Sequence, residues 1–251
     1  MTIRPAGPCE VAVWTLWIPD HAAVAADSAW TLGAEETERA ARFQDPAARE
    51  RYVTSHVGLR VLLGGYLGMA PQDVGFLRER CGMPDCERPH GRPVIAGPPG
   101  PHFSLSHAED AALYAIAGTP VGADIESAGL VGDGLERAGG RFHPAERRAV
   151  AALPPALRER ALLGCWVRKE AYLKGIGTGL AGGLGRHHVG LAEELAPPWA
   201  PPGPAGWSLA DVKAPDGYRA AVAVRDEDAP DGTGRPGGPR PSVRVAELRL
   251  S

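Results

Sequence analysis

The segment Trp166-Val167-Arg168-Lys169-Glu170-Ala171-Tyr172-Leu173-Lys174-Gly175 constrains this chain most, because it fixes the end of a long helix. The helical pattern runs back to about Ala156. Gly175, Gly177 and Gly179 stop it and free the backbone for close approach. On that helix Trp166, Glu170 and Lys174 are spaced i, i+4, i+8 and share one face. Only three of the 27 basic residues are lysines, and two of them, Lys169 and Lys174, fall here. Where arginine is used almost everywhere else, a retained compact ammonium points to a specific contact. An ordinary surface ion pair satisfies the same spacing.

A second acidic pair shifts the balance towards chemistry. The apolar run 111–117, the turn Gly118-Thr119-Pro120 and residues 121–126 read as a β-hairpin. In a strand, i and i+2 share a face, so Asp124 and Glu126 point the same way and Ile125 enters the core. Two adjacent carboxylates repel unless a cation lies between them. Hard oxygen ligands at this spacing suit Mg²⁺, which takes one or two protein carboxylates and completes its shell with water and phosphate. A solvated strand face beside a turn is the alternative.

A third segment, Pro101-His102-Phe103-Ser104-Leu105-Ser106-His107, alternates polar and apolar residues and reads as a short strand. Its terminal hydroxyl and imidazole are candidate phosphate ligands. Upstream, Gly91-Arg92-Pro93 presents a guanidinium in a turn, a group suited to a phosphate oxyanion.

Composition excludes several classes. The net charge is −3, so no global basic field marks a nucleic-acid protein, and an anion site must be local. No apolar run reaches the length of about 18 residues that a membrane span needs. The N-terminus lacks a signal-peptide core, so a cytoplasmic location is expected. The four cysteines, Cys9, Cys81, Cys86 and Cys165, then read as thiols. Cys81 and Cys86, with His90 and His102, invite a zinc reading, although their spacing matches no knuckle or finger well. His187 and His188, at i and i+1, face apart on any regular element and read as loop residues.

Along the chain, 10–18 reads as an opening strand. Residues 34–43 and 47–67 read as helices, the second with Val53, Val57, Leu59, Leu62, Leu63 and Tyr66 as its apolar stripe. Helices are expected at 144–152 and 156–174. Strands are expected at 207–212 and 218–224, joined by Pro215-Asp216-Gly217, and an edge strand at 242–250. Residues 226–241 are rich in Gly, Pro and Asp and read as flexible.

Taken together, these motifs resemble the 4'-phosphopantetheinyl transferases, in order and in spacing. The length resembles the surfactin-synthetase-activating type. Glu38-Arg39-Ala40-Ala41-Arg42-Phe43, with Arg49, Arg51 and Leu59-Arg60, is similar to that family's first long helices. Arg141-Phe142-His143-Pro144-Ala145-Glu146 is similar to the element between its acidic pair and its lysine helix. The likeness runs from about Arg39 to Leu180. Departures are small: Ala108 replaces a small hydroxyl residue, Ala123 a branched one, and Arg92 a frequent lysine.

The resemblance implies an α+β fold of two similar halves related by pseudo-twofold symmetry. It divides the chain into 1–118, 119–225 and a 226–251 segment of linker and terminal strand. It implies transfer of the 4'-phosphopantetheine arm of coenzyme A to a serine of an apo acyl or peptidyl carrier protein, releasing adenosine 3',5'-bisphosphate. Carriers of polyketide and nonribosomal-peptide synthesis are the expected partners. Asp124, Glu126 and Glu170 would hold Mg²⁺, with Mn²⁺ as the alternative. Glu170 would take the serine proton, and Lys174 would neutralise or protonate the leaving phosphate. Lys169 would contact phosphate as a second cation. Arg39, Arg51, Arg92, Ser106 and His107 would meet the 3'-phosphate and adenine end, with a cationic His107. The protein would act as a monomer, without nucleic-acid or membrane partners. Two rivals use the same residues: a Mg²⁺-dependent phosphodiester hydrolase, and a coenzyme A-binding module without catalysis.

Overall fold

A computed structural model of the chain describes residues 10–81, 91–97, 100–130, 133–192, 203–226 and 242–250. Cys9, Cys86, His90 and residues 227–241 lie outside these, and with them the zinc reading and most of the expected flexible segment. Helices and strands both contribute, as expected for an α+β chain.

Strand β1 (Glu10–Trp17) leads directly into helix α1 (Ile18–Asp27), which the sequence reading missed. Helices α2 (Ala34–Ala41) and α3 (Pro46–Leu67) follow. The start of α3 is set locally. Pro46 fixes φ in its first turn, and the Asp45 carboxylate accepts from the amides of Ala47 and Ala48 at 3.1 and 3.2 Å. Gly68, at φ 68°, ends it. A two-stranded sheet comes next, β2 (Phe76–Arg78) with β3 (Pro93–Ile95), and then β4 (His102–Ala108), β5 (Ala111–Ala117) and β6 (Val121–Ser127). Helices α4 (Asp133–Gly139), α5 (Pro144–Ala152) and α6 (Pro155–Gly175) precede β7 (Trp207–Val212), β8 (Tyr218–Arg225) and β9 (Ser242–Glu247).

Two larger sheets form, with strand orders β4-β5-β1-β9 and β6-β8-β7. The hairpin expected between 111–117 and 121–126 is therefore corrected. Strand β5 is fully buried and pairs antiparallel with both β4 and β1, so neither of its edges is open to β6. The chain instead crosses at Gly118-Thr119-Pro120 to the second sheet, where β6 pairs with β8. The terminal strand is an edge strand, as expected, but it adds parallel to β1 in the first sheet.

Alternation then builds layers. Val11, Val13, Leu113 and Ala115 of the first sheet pack on Ala123, Ile125 and Val222 of the second. The first sheet turns Trp14, Tyr114 and Ile116 towards Leu62 and Leu63 of α3. The outer face of the second sheet, Ala221 and Ala223, lies against Val167 and Ala171 of α6.

Candidate active site

The candidate site lies where α6 crosses β6. Gly122, Asp124 and Glu126 alternate onto the face of β6 that meets α6. A side chain at Gly122 would collide with the Ala171 carbonyl and the Gly175 amide, so glycine there lets the helix rest on the strand. Gly177, at φ 80°, turns the chain away beyond the helix end.

That approach brings the expected residues together. Asp124 Oδ1 accepts from Lys174 Nζ at 2.6 Å and from Ser106 Oγ at 2.8 Å. Lys174 Nζ also donates to Ser106 Oγ at 2.8 Å, closing a triangle. Glu126 Oε1 accepts from Trp166 Nε1 at 3.2 Å. The stripe Trp166, Glu170, Lys174 thus meets the acidic strand. Ser104, two residues before Ser106 and on the same face, was missed by the sequence reading. Its Oγ accepts from Ala123 N at 3.0 Å and joins the edges of the two sheets. The alternation Phe103-Ser104-Leu105-Ser106 carried that signal.

The electrostatics are those of crowded carboxylates. Burial raises Glu126 and Glu170 to about 7, and the charge of Asp124 adds to both. Burial also raises Asp124, while Lys174 and Ser106 pull it back. Asp124 Oδ2 and Glu170 Oε1 are buried and have no hydrogen-bond partner in the protein. An all-oxygen set with two unpartnered buried carboxylate oxygens fits a hard divalent cation. Among the described residues, no three or more His, Cys, Asp or Glu side chains are grouped so that they could hold a metal ion as they stand.

Beside the carboxylates lies a cationic patch. His107 stays accessible at its surface, yet desolvation holds its imidazole below the usual histidine range, and Lys174, Arg51 and Arg39 push it further down. In the protein alone, then, His107 favours the neutral form; the cationic state expected from the sequence is that of the ring beside a phosphate dianion, which raises its pKa. Three cations acting on one ring mark a local positive field that an anion would relieve. Arg51 Nη2 lies 3.2 Å from Glu109 Oε2, and Arg39 lies 5.9 Å from the Tyr52 ring centre.

Two expected residues are held by partners of their own. Lys169, one position before Glu170, points to another face of α6. It is buried, pairs with Glu146 Oε2 at 2.7 Å and donates to the His187 carbonyl at 2.8 Å. Its expected phosphate contact is corrected to a structural ion pair. Arg92 bonds Glu79 through Nε at 2.7 Å and the Gly175 carbonyl through Nη1 at 2.7 Å. Its charge bears on His102, five strand residues from His107, a span of about 16 Å. Its direct partners are thus Glu79 and the end of α6.

Among the described residues, no helix is long and apolar enough to cross a membrane. A sequence profile for the 4'-phosphopantetheinyl transferase superfamily matches residues 120–223, the stretch that holds Asp124, Glu126, Glu170 and Lys174. The 4'-phosphopantetheinyl transferase HetI of Nostoc sp. (strain PCC 7120) is 33% identical over 226 residues, covering 86% of this chain and 87% of its own. The 4'-phosphopantetheinyl transferase Sfp of Bacillus subtilis (strain 168) is 26% identical over 212 residues, covering 80% and 90%. A phosphopantetheinyl transferase of Thraustochytrium sp. is 30% identical over 204 residues, covering 74% and 68%.

Proposed function

This chain belongs to the 4'-phosphopantetheinyl transferase superfamily, and we propose that Asp124, Glu126, Glu170 and Lys174 carry out that family's reaction in it. The enzyme transfers the 4'-phosphopantetheine arm of coenzyme A to a serine of an apo carrier protein. Adenosine 3',5'-bisphosphate is released. The observation that carries the assignment of residues is the junction of β6 and α6, where Asp124 holds Lys174 and its charge bears on the buried carboxyls of Glu126 and Glu170.

In chemical terms, the serine oxygen forms a bond to the phosphorus bearing pantetheine, and the bridging oxygen of the pyrophosphate leaves. Such a reaction depends on positioning and on neutralising oxygen charge. Glu170, held near 7 in the protein alone, suits a base at neutral pH and takes the serine proton. Lys174, held by Asp124 and Ser106, faces the leaving phosphate and balances its charge. Asp124 through Oδ2, Glu126 and Glu170 through Oε1 would hold Mg²⁺ or Mn²⁺. That ion, when bound, supplies Lewis-acid polarisation of the pyrophosphate. Arg39, Arg51 and His107 receive the 3'-phosphate and adenine end. The proposal extends to polyketide and nonribosomal-peptide carriers as partners, to a monomeric enzyme in the cytoplasm, and to two pseudo-twofold halves meeting at 118/119.

Glu170→Gln is the direct test. In a chelator at neutral pH the variant should melt no lower than wild type, since it removes one crowded buried carboxylate, and it should lose release of adenosine 3',5'-bisphosphate in the presence of apo carrier. Turnover near wild type would end the role given to Glu170.

A further inference from the structure

Glu109 is the one non-glycine residue with positive φ among the described residues, at 45°. It is the first of two residues linking β4 to β5, a place where a left-handed backbone favours glycine. The loop is pinned on both sides. Asp110 N donates to the Tyr218 hydroxyl at 3.2 Å, and the Asp110 carbonyl accepts from Ile18 N at 2.8 Å. A residue held in a disfavoured backbone region is a pointer to function. Here the strained residue carries an acid into the cationic patch. Its carboxylate lies 3.2 Å from Arg51 Nη2 while remaining 60% exposed. Two positions away stands His107, on which Arg51, Arg39 and Lys174 all bear.

We propose that Glu109 is a built-in competitor for the 3'-phosphate of coenzyme A, which occupies Arg51 in the free enzyme and yields it when the phosphate arrives. This rests on the reading above that Arg51 meets the 3'-phosphate. Exchange of one anion for another at the half-buried Arg51 costs little, because its present partner is exposed, so the pair is weak and the Glu109 side chain can swing into solvent. The dianionic phosphate wins the exchange, but its net gain is reduced by what Glu109 gives up. Adenosine 3',5'-bisphosphate carries the same 3'-phosphate, so the same competition also speeds its departure. Glu109 therefore tunes affinity for the substrate and release of the product together.

The test is calorimetric titration of the full chain, at low salt, with coenzyme A, 3'-dephospho-coenzyme A and adenosine 3',5'-bisphosphate. Glu109→Gln should bind coenzyme A and the bisphosphate about threefold more tightly and leave the dephospho ligand unchanged. The gain should vanish in the Arg51→Ala background. Glu109→Gly should show the same tightening and a higher melting temperature, since it also relieves the backbone. If Arg51→Ala weakens coenzyme A but Glu109→Gln does not tighten it, Glu109 merely orients Arg51 and the competitor role is overturned alone. If Arg51→Ala binds both coenzymes as wild type does, the placement of the 3'-phosphate falls, and the competitor role falls with it.

Discussion

Replacing Lys169 with methionine separates a structural cation from a phosphate-binding one. The Lys169 side chain is 2% exposed and its partner Glu146 is fully enclosed. Glu146 also accepts from His143 N at 3.0 Å and Val189 N at 2.8 Å, so it ties α6 to the start of α5 and to the loop after it. Methionine would fill most of the volume and leave that carboxylate buried without its counter-charge. Breaking a buried pair from one side costs about 3–5 kcal/mol. In a chain of this length each kcal/mol moves the melting temperature by about 2–4 °C, so scanning calorimetry should show a fall of about 6–20 °C. Combining Lys169→Met with Glu146→Gln removes both charges and should restore part of that loss, the remainder being the backbone amide that the glutamine nitrogen cannot accept from. Measured well below the transition, the KM for coenzyme A of Lys169→Met should stay within about twofold of wild type. A melting temperature within about 2 °C of wild type, with KM raised about tenfold, would refute the reasoning and return Lys169 to the phosphate.

Arg92→Ala should loosen the end of α6 by freeing Glu79 and the Gly175 carbonyl, and should weaken coenzyme A and 3'-dephospho-coenzyme A alike in titrations. A loss confined to coenzyme A would put Arg92 on the 3'-phosphate. Glu126 and Glu170 are raised from 4.5 to about 7, so between those values the folded protein binds more protons than the unfolded chain. Stability in a chelator should therefore fall as pH rises through that window, and added Mg²⁺ should stabilise more at pH 7.5 than at pH 5. Melting curves that are flat or rise across the window would contradict the carboxylate crowding.

The candidate site was legible as a place in the fold because two simple periods converge on it. Period two placed Asp124 and Glu126 together on β6, and i, i+4, i+8 placed Trp166, Glu170 and Lys174 on one side of α6. The same arithmetic argued against Lys169, which sits about 100° around the helix from Glu170, but two clustered lysines read as one cationic site. Its true partner, Glu146, lay in the Arg141-Phe142-His143-Pro144-Ala145-Glu146 motif, whose role no spacing reveals. Strand pairing was the least legible feature. The short turn at 118–120 implies a hairpin, and only the presence of β1 and β4 on both edges of β5 forbids it. The return of β9 to β1 spans more than two hundred residues and leaves no local signal. Glu109 was invisible for a related reason, since a positive φ at a non-glycine residue is imposed by the pinned loop around it.

The most direct measurement is the intact mass of an apo acyl or peptidyl carrier after incubation with the enzyme, coenzyme A and Mg²⁺, beside a chelator control and the Glu170→Gln variant. Wild type should add one phosphopantetheine to the carrier, and both the chelated reaction and the variant should add none. An unmodified carrier with coenzyme A cleaved in water, or a variant as active as wild type, would contradict the site at the junction of β6 and α6.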